Sequence, residues 1–220
     1  MHVPPMYRPT SSTWMAAVIV AQPLGVLVSN GEDVPFASHL PFIVDEINPN
    51  EPKLSGSTLL GHMDRSNPQW RALRNGSSVK VIFSGPNSYI TPTIYRTEPA
   101  APTWDYVAVH VTGTVHPLPR GEVTMDVVLR TVRQFEGEFG TDWQPDRSLD
   151  YFNEILPGVG AFRLVVSAAE GMFKLSQEKS LETRTRVVQA LDSSPSEPAR
   201  DLARLMKATE PATRFECGSG

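Results

Sequence analysis

The run Leu59-Leu60-Gly61-His62-Met63-Asp64-Arg65-Ser66-Asn67-Pro68-Gln69-Trp70 holds an imidazole, a carboxylate, a guanidinium and a hydroxyl in close succession. Its first half alternates as a strand does. Asn67-Pro68 carries the signal of a helix cap followed by a first helical residue. An imidazole at a strand end can ligate a metal-bearing cofactor. The free N–H groups of a helix start, with Arg65 and Ser66 beside them, can receive a propionate or a phosphate. His62 is therefore the first choice of metal ligand, and Arg65 and Ser66 the first choice of anion contacts. Two bland alternatives stand beside these: a core His62 bonded to a carbonyl, and a surface Arg65 paired with Asp64.

Other side chains offer related chemistry. His39 is the second choice of ligand, and Tyr89 or Tyr95 could ligate iron as phenolates. His2 and His116 read as surface residues. Lys174 is a lone cation in the apolar stretch Phe173-Lys174-Leu175, so it must meet an anion, shift its pKa or extend to solvent. His110 and Lys174 are the proton-accepting candidates, and Trp104 could wall a pocket. No Cys-x-x-Cys-His is present, so any haem would be held non-covalently.

The chain's bounds narrow the class. The net charge of −4 over 220 residues weighs against a broad basic face for nucleic acid. The single cysteine, Cys217, allows neither a disulfide framework nor a thiolate cluster. No apolar run is long enough for a membrane span, and the start lacks the pattern of a secretory signal. A cytoplasmic location is the expectation.

These groups need elements to position them. The pattern predicts a helix from Ser11 or Ser12 to Ala21 with Trp14, Val18 and Ala21 on one face, then a strand Leu24–Val28. A hairpin turn follows at Asn30-Gly31, with a return strand Val34–Val44 that Pro35 and Pro41 mark as edge or bulged. Residues 46–56 read as a loop. Strands follow at Thr58–Met63, Val79–Ser84, Tyr89–Tyr95 and Trp104–Val115. In the last, Val107, Val109, Val111, Gly113 and Val115 face inward. Glu122–Phe139 is the strongest helix, striped by Met125, Val128, Val132, Phe135 and Phe139. A helix at Leu149–Leu156, strands at Ala161–Ser167 and Met172–Ser176, and helices at about 181–191 and 197–207 complete the chain. Short strands with helices at the ends and in the connections predict an α+β fold: a β-barrel with peripheral helices and a C-terminal helical extension. The expected division is a cofactor-binding domain at 1–178, the extension at 179–210 and a flexible tail at 211–220. So small a barrel would carry a cofactor on its outer wall, against a second subunit.

Several stretches together resemble the PaiB-type FMN-binding split-barrel family. They are Phe36-Ala37-Ser38-His39-Leu40-Pro41, Leu60 to Trp70, Phe83 to Pro92, Pro102-Thr103-Trp104-Asp105-Tyr106 with His110, and Gly171 to Gln177. Gly61-His62-Met63, Thr97 to Trp104, Leu149-Asp150-Tyr151-Phe152 and Pro157 to Leu164 are most similar to the piperazate synthases within it. That resemblance implies a split-barrel homodimer with haem b near the interface. It also implies cyclisation of N5-hydroxy-L-ornithine to L-piperazate, with N–N bond formation and loss of water. The alternatives are an FMN-binding regulator and a flavin-dependent oxidoreductase on the same barrel.

Overall fold

A computed structural model describes residues 1–46 and 54–209. Cys217, the tail at 211–220 and the middle of the loop read at 46–56 lie outside the described residues. The elements are α1 (Ser12–Ala21), β1 (Leu24–Ser29), β2 (Phe36–Glu46), β3 (Thr58–Asp64), α2 (Pro68–Ala72), β4 (Ser77–Ile90), β5 (Thr103–Pro117), α3 (Glu122–Phe139), α4 (Leu149–Ile155), β6 (Val159–Lys174), α5 (Leu181–Asp192) and α6 (Glu197–Ala208). The six strands close into a barrel in the order β1-β2-β3-β6-β5-β4. Closure removes the edges that an open sheet would expose.

The chain divides into two compact units. One comprises residues 12–83 and 109–169, the other 1–11, 84–108 and 170–220. In the first, alternation along the strands sends Leu27, Phe42, Leu59, Val81, Phe83, Val109, Val111, Phe162 and Leu164 into a dry interior. Phe42 meets Phe83 and Phe162 edge-on, with centroids 5.6 and 6.0 Å apart. Outside the wall, Ile43, Leu60 and Ala161 pack under Val127 of α3, flanked by Leu118 and Phe135. In the second unit, α5 and α6 pack on each other through Val187, Leu191, Leu202 and Met206.

Several expectations are corrected. The buried face of α1 is Ala16, Val18 and Ile19, and Ala21 is exposed. The β1–β2 connection spans residues 30–35, because the register closes at Ser29↔Phe36 rather than beside Asn30-Gly31. Strand β2 is no edge. Pro41 ends the ladder with β1 at Leu24↔Pro41, and pairing with β3 begins one residue on, at Phe42↔Gly61. The missing N–H thus falls where the strand changes partner. β4 runs unbroken through Gly85-Pro86, and β6 through Glu170-Gly171. At Gly85 a Cβ would lie 3.0 Å from Val107, so glycine there serves close packing inside a strand rather than a turn. On α3 the fully buried side chains are Thr124, Val127 and Thr131, while Phe139 is 58 % exposed. Among the described residues no helix is long and apolar enough to cross a membrane.

Candidate functional site

β3 presents His62 on the outer wall. Its neighbour Gly61 faces the interior, where a Cβ would meet Phe162 at 2.7 Å. His62 therefore points away from the core, half-buried and opposite Ala161 of β6. Its Nδ1 is fully buried with no hydrogen-bond partner. Burial lowers its pKa, so the ring is neutral near pH 7 and able to donate a lone pair to a metal. The carbonyl-bonded core histidine is not what the structure contains.

Beyond His62 the chain turns into α2. Asn67 caps the helix, accepting from Gln69 N at 2.9 Å, and Pro68 follows it. Asp64 accepts from Ser66 N at 2.6 Å, which holds its pKa below the usual carboxylate range. Asn67 N donates to Asp64 O at 3.1 Å. The expected free amides are thus already satisfied locally, and the anion site reduces to side chains. Arg65 does not pair with Asp64. Its Nε donates to Val159 O at 2.7 Å, and its guanidinium lies over the Trp70 ring, 5.0 Å from the centroid. Burial, and then repulsion from Arg120, lowers its pKa. Among the described residues no carboxylate pairs with either guanidinium. Arg65 and Arg120, close enough to repel each other, are suited to an anionic group. The sequence reading missed Arg120, whose only signal is a charge in the turn Pro119-Arg120-Gly121.

The remaining histidines differ in use. His39 and His2 are exposed. His116 is half-buried rather than free at the surface: Nδ1 lies 2.7 Å from Asn75 Oδ1 and Nε2 3.4 Å from Thr114 Oγ1. His110 is half-buried on β5, on the face it shares with Thr112 and Thr114. No group of three or more His, Cys, Asp or Glu able to hold a bare metal ion occurs among the described residues.

The second unit holds Lys174 and Trp104. Lys174 Nζ donates to Thr103 Oγ1 and, at 2.9 Å, to Trp104 O. It stands 3.7 Å from Oδ1 of Asp105. The carboxylate of Asp105 is wholly buried, and its Oδ2 accepts from Ser176 Oγ at 2.5 Å. Burial pushes its pKa up to about 6, against the opposing effects of Ser176 and Lys174. Asp105 carried no signal beyond its place in Trp104-Asp105-Tyr106, where alternation merely turned it inward. Trp104 is 52 % exposed, tilted against Tyr89 at 6.0 Å, with Nε1 donating to Asn87 Oδ1 at 3.1 Å. Tyr95 is buried, and its hydroxyl has no partner. An open pocket of about 630 Å³ is lined by Pro92, Thr93 and Arg96–Ala100.

A closed six-stranded antiparallel barrel with its polar groups on the outer wall defines a split-barrel protein. The chain belongs to the family described as "Putative FMN-binding domain", which matches residues 1–168. It is 25 % identical over 207 residues to "Protease synthase and sporulation protein PAI 2" of Bacillus subtilis (strain 168), covering 94 % of this chain and 97 % of that one. Two solved structures share the fold at a TM-score of 0.57 and 14 % identity. One is the FAD and haem binding protein from Mycobacterium smegmatis, covering 81 % of this chain and 78 % of that one. The other is the flavocytochrome Anf3 from Azotobacter vinelandii, covering 78 % and 72 %.

Proposed function

We propose that the protein binds haem b through His62 and closes N5-hydroxy-L-ornithine to L-piperazate. The observation that carries this is the neutral imidazole on the outer wall with a buried nitrogen that no protein group satisfies. The similarity of Gly61-His62-Met63, Thr97 to Trp104 and Pro157 to Leu164 to the piperazate synthases supports the substrate. That a haem-binding protein and a flavocytochrome share the fold supports the cofactor class.

The residues present fit the group. His62 would hold the iron, and Arg65 and Arg120 would pair with the propionates. Bound haem contributes a Lewis-acid iron that weakens the N–O bond of the hydroxylamine. The chain supplies the rest. The α-ammonium of the substrate must lose a proton before its nitrogen can attack N5, and His110 is the candidate base for that step. Lys174, whose Nζ already donates to Thr103 and Trp104 beside Asp105, serves better as an anion clamp than as a base. Trp104 offers an exposed aromatic wall. Holding the two nitrogens in near-attack geometry removes much of the entropic barrier to ring closure. The substrate brings its own leaving group, so no external oxidant is consumed. A cytoplasmic homodimer with the cofactor near its interface belongs to the same proposal, and sedimentation of the loaded protein measures the dimer.

The second proposal is an FMN-binding regulator or flavin-dependent oxidoreductase. The family match and the similarity to the Bacillus protein favour it, and the Arg65 and Arg120 cations would serve a phosphate equally. An absorption spectrum of the purified protein separates the two. A Soret band that His62→Ala abolishes, together with cyclisation of N5-hydroxyornithine, supports the haem enzyme. Flavin bands, or a Soret band unchanged in His62→Ala, overturn it.

A further inference from the structure

Asp105 is a costly residue to place where it is. Its side chain is wholly buried, and its Oδ1 makes no hydrogen bond. An unsatisfied buried carboxylate oxygen needs a reason. Ser176, which donates to Oδ2, is itself fully buried and holds a left-handed backbone with φ of 56°, a strained state for a residue with a Cβ. Among the described residues the ammonium paired with Oδ1 is that of Lys174, whose side chain is 17 % exposed and which lies 3.7 Å away, beyond hydrogen-bond reach. Lys174 thus has one side towards a buried acid and an accessible edge.

We propose that Asp105 couples anion binding at Lys174 to uptake of one proton, so that a carboxylate or phosphate docking on Lys174 displaces Asp105 as its counter-charge. A ligand anion and the Asp105 carboxylate compete for one ammonium. The ligand arrives and Asp105 takes a proton from solvent onto Oδ1. The charge of the locus is unchanged, and no bond other than O–H is made. The charged and titratable groups that act on the locus are Lys174, Ser176 and Glu178, the Arg184 guanidinium and the Tyr7 and Tyr95 phenols. Among them only Lys174 is within ion-pair distance of Asp105. The midpoint of Asp105, about 6, places the proton uptake near neutral pH.

This inference deepens the proposed function by naming a device for the anionic part of its cofactor or substrate, but it concerns Lys174 alone and can hold if the haem reading fails. Its test is titration calorimetry on the full chain without cofactor, in buffers of different ionisation enthalpy. Three pairs of probes differ only in their anion: haem and its dimethyl ester, FMN and riboflavin, L-ornithine and its methyl ester. For the acid member of one pair, uptake approaching one proton is expected near pH 7, with affinity weakening about a hundredfold between roughly pH 5 and pH 8. In Asp105→Asn the same probe should bind without proton uptake and with affinity level within about twofold over that range. Ser176→Ala keeps the carboxylate but removes a bond that favours its charged form, so the break in affinity should move to higher pH. The pair that responds identifies the anion's source. Proton uptake retained in Asp105→Asn, or pH-independent binding of all three acids to the native chain, overturns the proposal. A response from FMN or ornithine with no haem binding would sink the haem reading and leave the coupling standing.

Discussion

Arg65 and Trp70 are joined as a stacked pair: the guanidinium carbon lies 5.0 Å from the ring centroid while Nε is pinned to Val159 O. Trp70 is in turn seated on Gly160 of β6, where a Cβ would come within 2.5 Å of the indole. The Arg65 cation is thus aimed by an aromatic plate resting on bare backbone.

Gly160→Ala should therefore act through Trp70. The added methyl cannot fit under the ring, and displacing the indole unseats Arg65. The expected result is a loss of stability of about 1–3 kcal/mol, of the size of overpacking, with a shift in tryptophan fluorescence. Chemical denaturation and emission spectra of the variant measure both.

Arg65→Lys keeps a charge but loses the planar stacked fork. Cofactor retention should weaken about tenfold or more, with little change in stability, and Arg120→Ala should weaken it further. Retention through gel filtration, followed by absorbance, reports the effect. Equal retention in the double variant would remove the cationic wall from the site.

Gln69 is wholly buried in α2, and its Nε2 donates to Leu27 O at 3.1 Å and Ser29 Oγ at 3.0 Å. It ties α2 to β1. Gln69→Ala leaves a buried carbonyl and hydroxyl unpaired, at a cost of about 1–3 kcal/mol for each bond lost. A lowered urea midpoint with an unchanged slope is the expected outcome.

Asp105 makes stability depend on pH in an unusual direction for an acid. Unfolded, it ionises near the ordinary 3.8; folded, near 6. Between these values the folded chain binds more protons, so this group's contribution is full below about pH 4 and lost as pH rises through 6. The difference corresponds to about 3 kcal/mol at neutral pH. Asp105→Asn should flatten that part of the profile and leave the protein more stable than the native chain at pH 7. Urea titrations at intervals from pH 4 to pH 7 decide it.

Arg184 threads from α5 to the end of α6, its Nη2 donating to Met206 O at 2.6 Å and Thr209 O at 3.2 Å. It satisfies carbonyls that the helix end would otherwise leave bare. Arg184→Met should cost about 2–4 kcal/mol and loosen α6 first. Faster amide exchange across residues 197–208 would show it.

The amino-acid sequence by itself determined the barrel class and most of the elements. Alternation placed Val107, Val109, Val111 and Val115 inward, Asn67-Pro68 capped α2, and Glu122–Phe139 marked α3, because these signals depend on neighbours a few residues apart. What tertiary structure alone decided are relations across long stretches of chain. Gly85 and Gly171 read as strand ends because glycine usually marks turns, whereas in the folded chain β4 and β6 run through them, with Gly85 closely packed on Val107. The backbone amides at the start of α2 are already taken, because Asp64 and Asn67 fold back onto the helix start, and the Arg65 guanidinium meets the field of Arg120 instead of pairing with Asp64. Asp105 meets Lys174 and Ser176 only when β5 and the end of β6 come together, and no local pattern can reveal a charge whose character is set by burial and a distant partner.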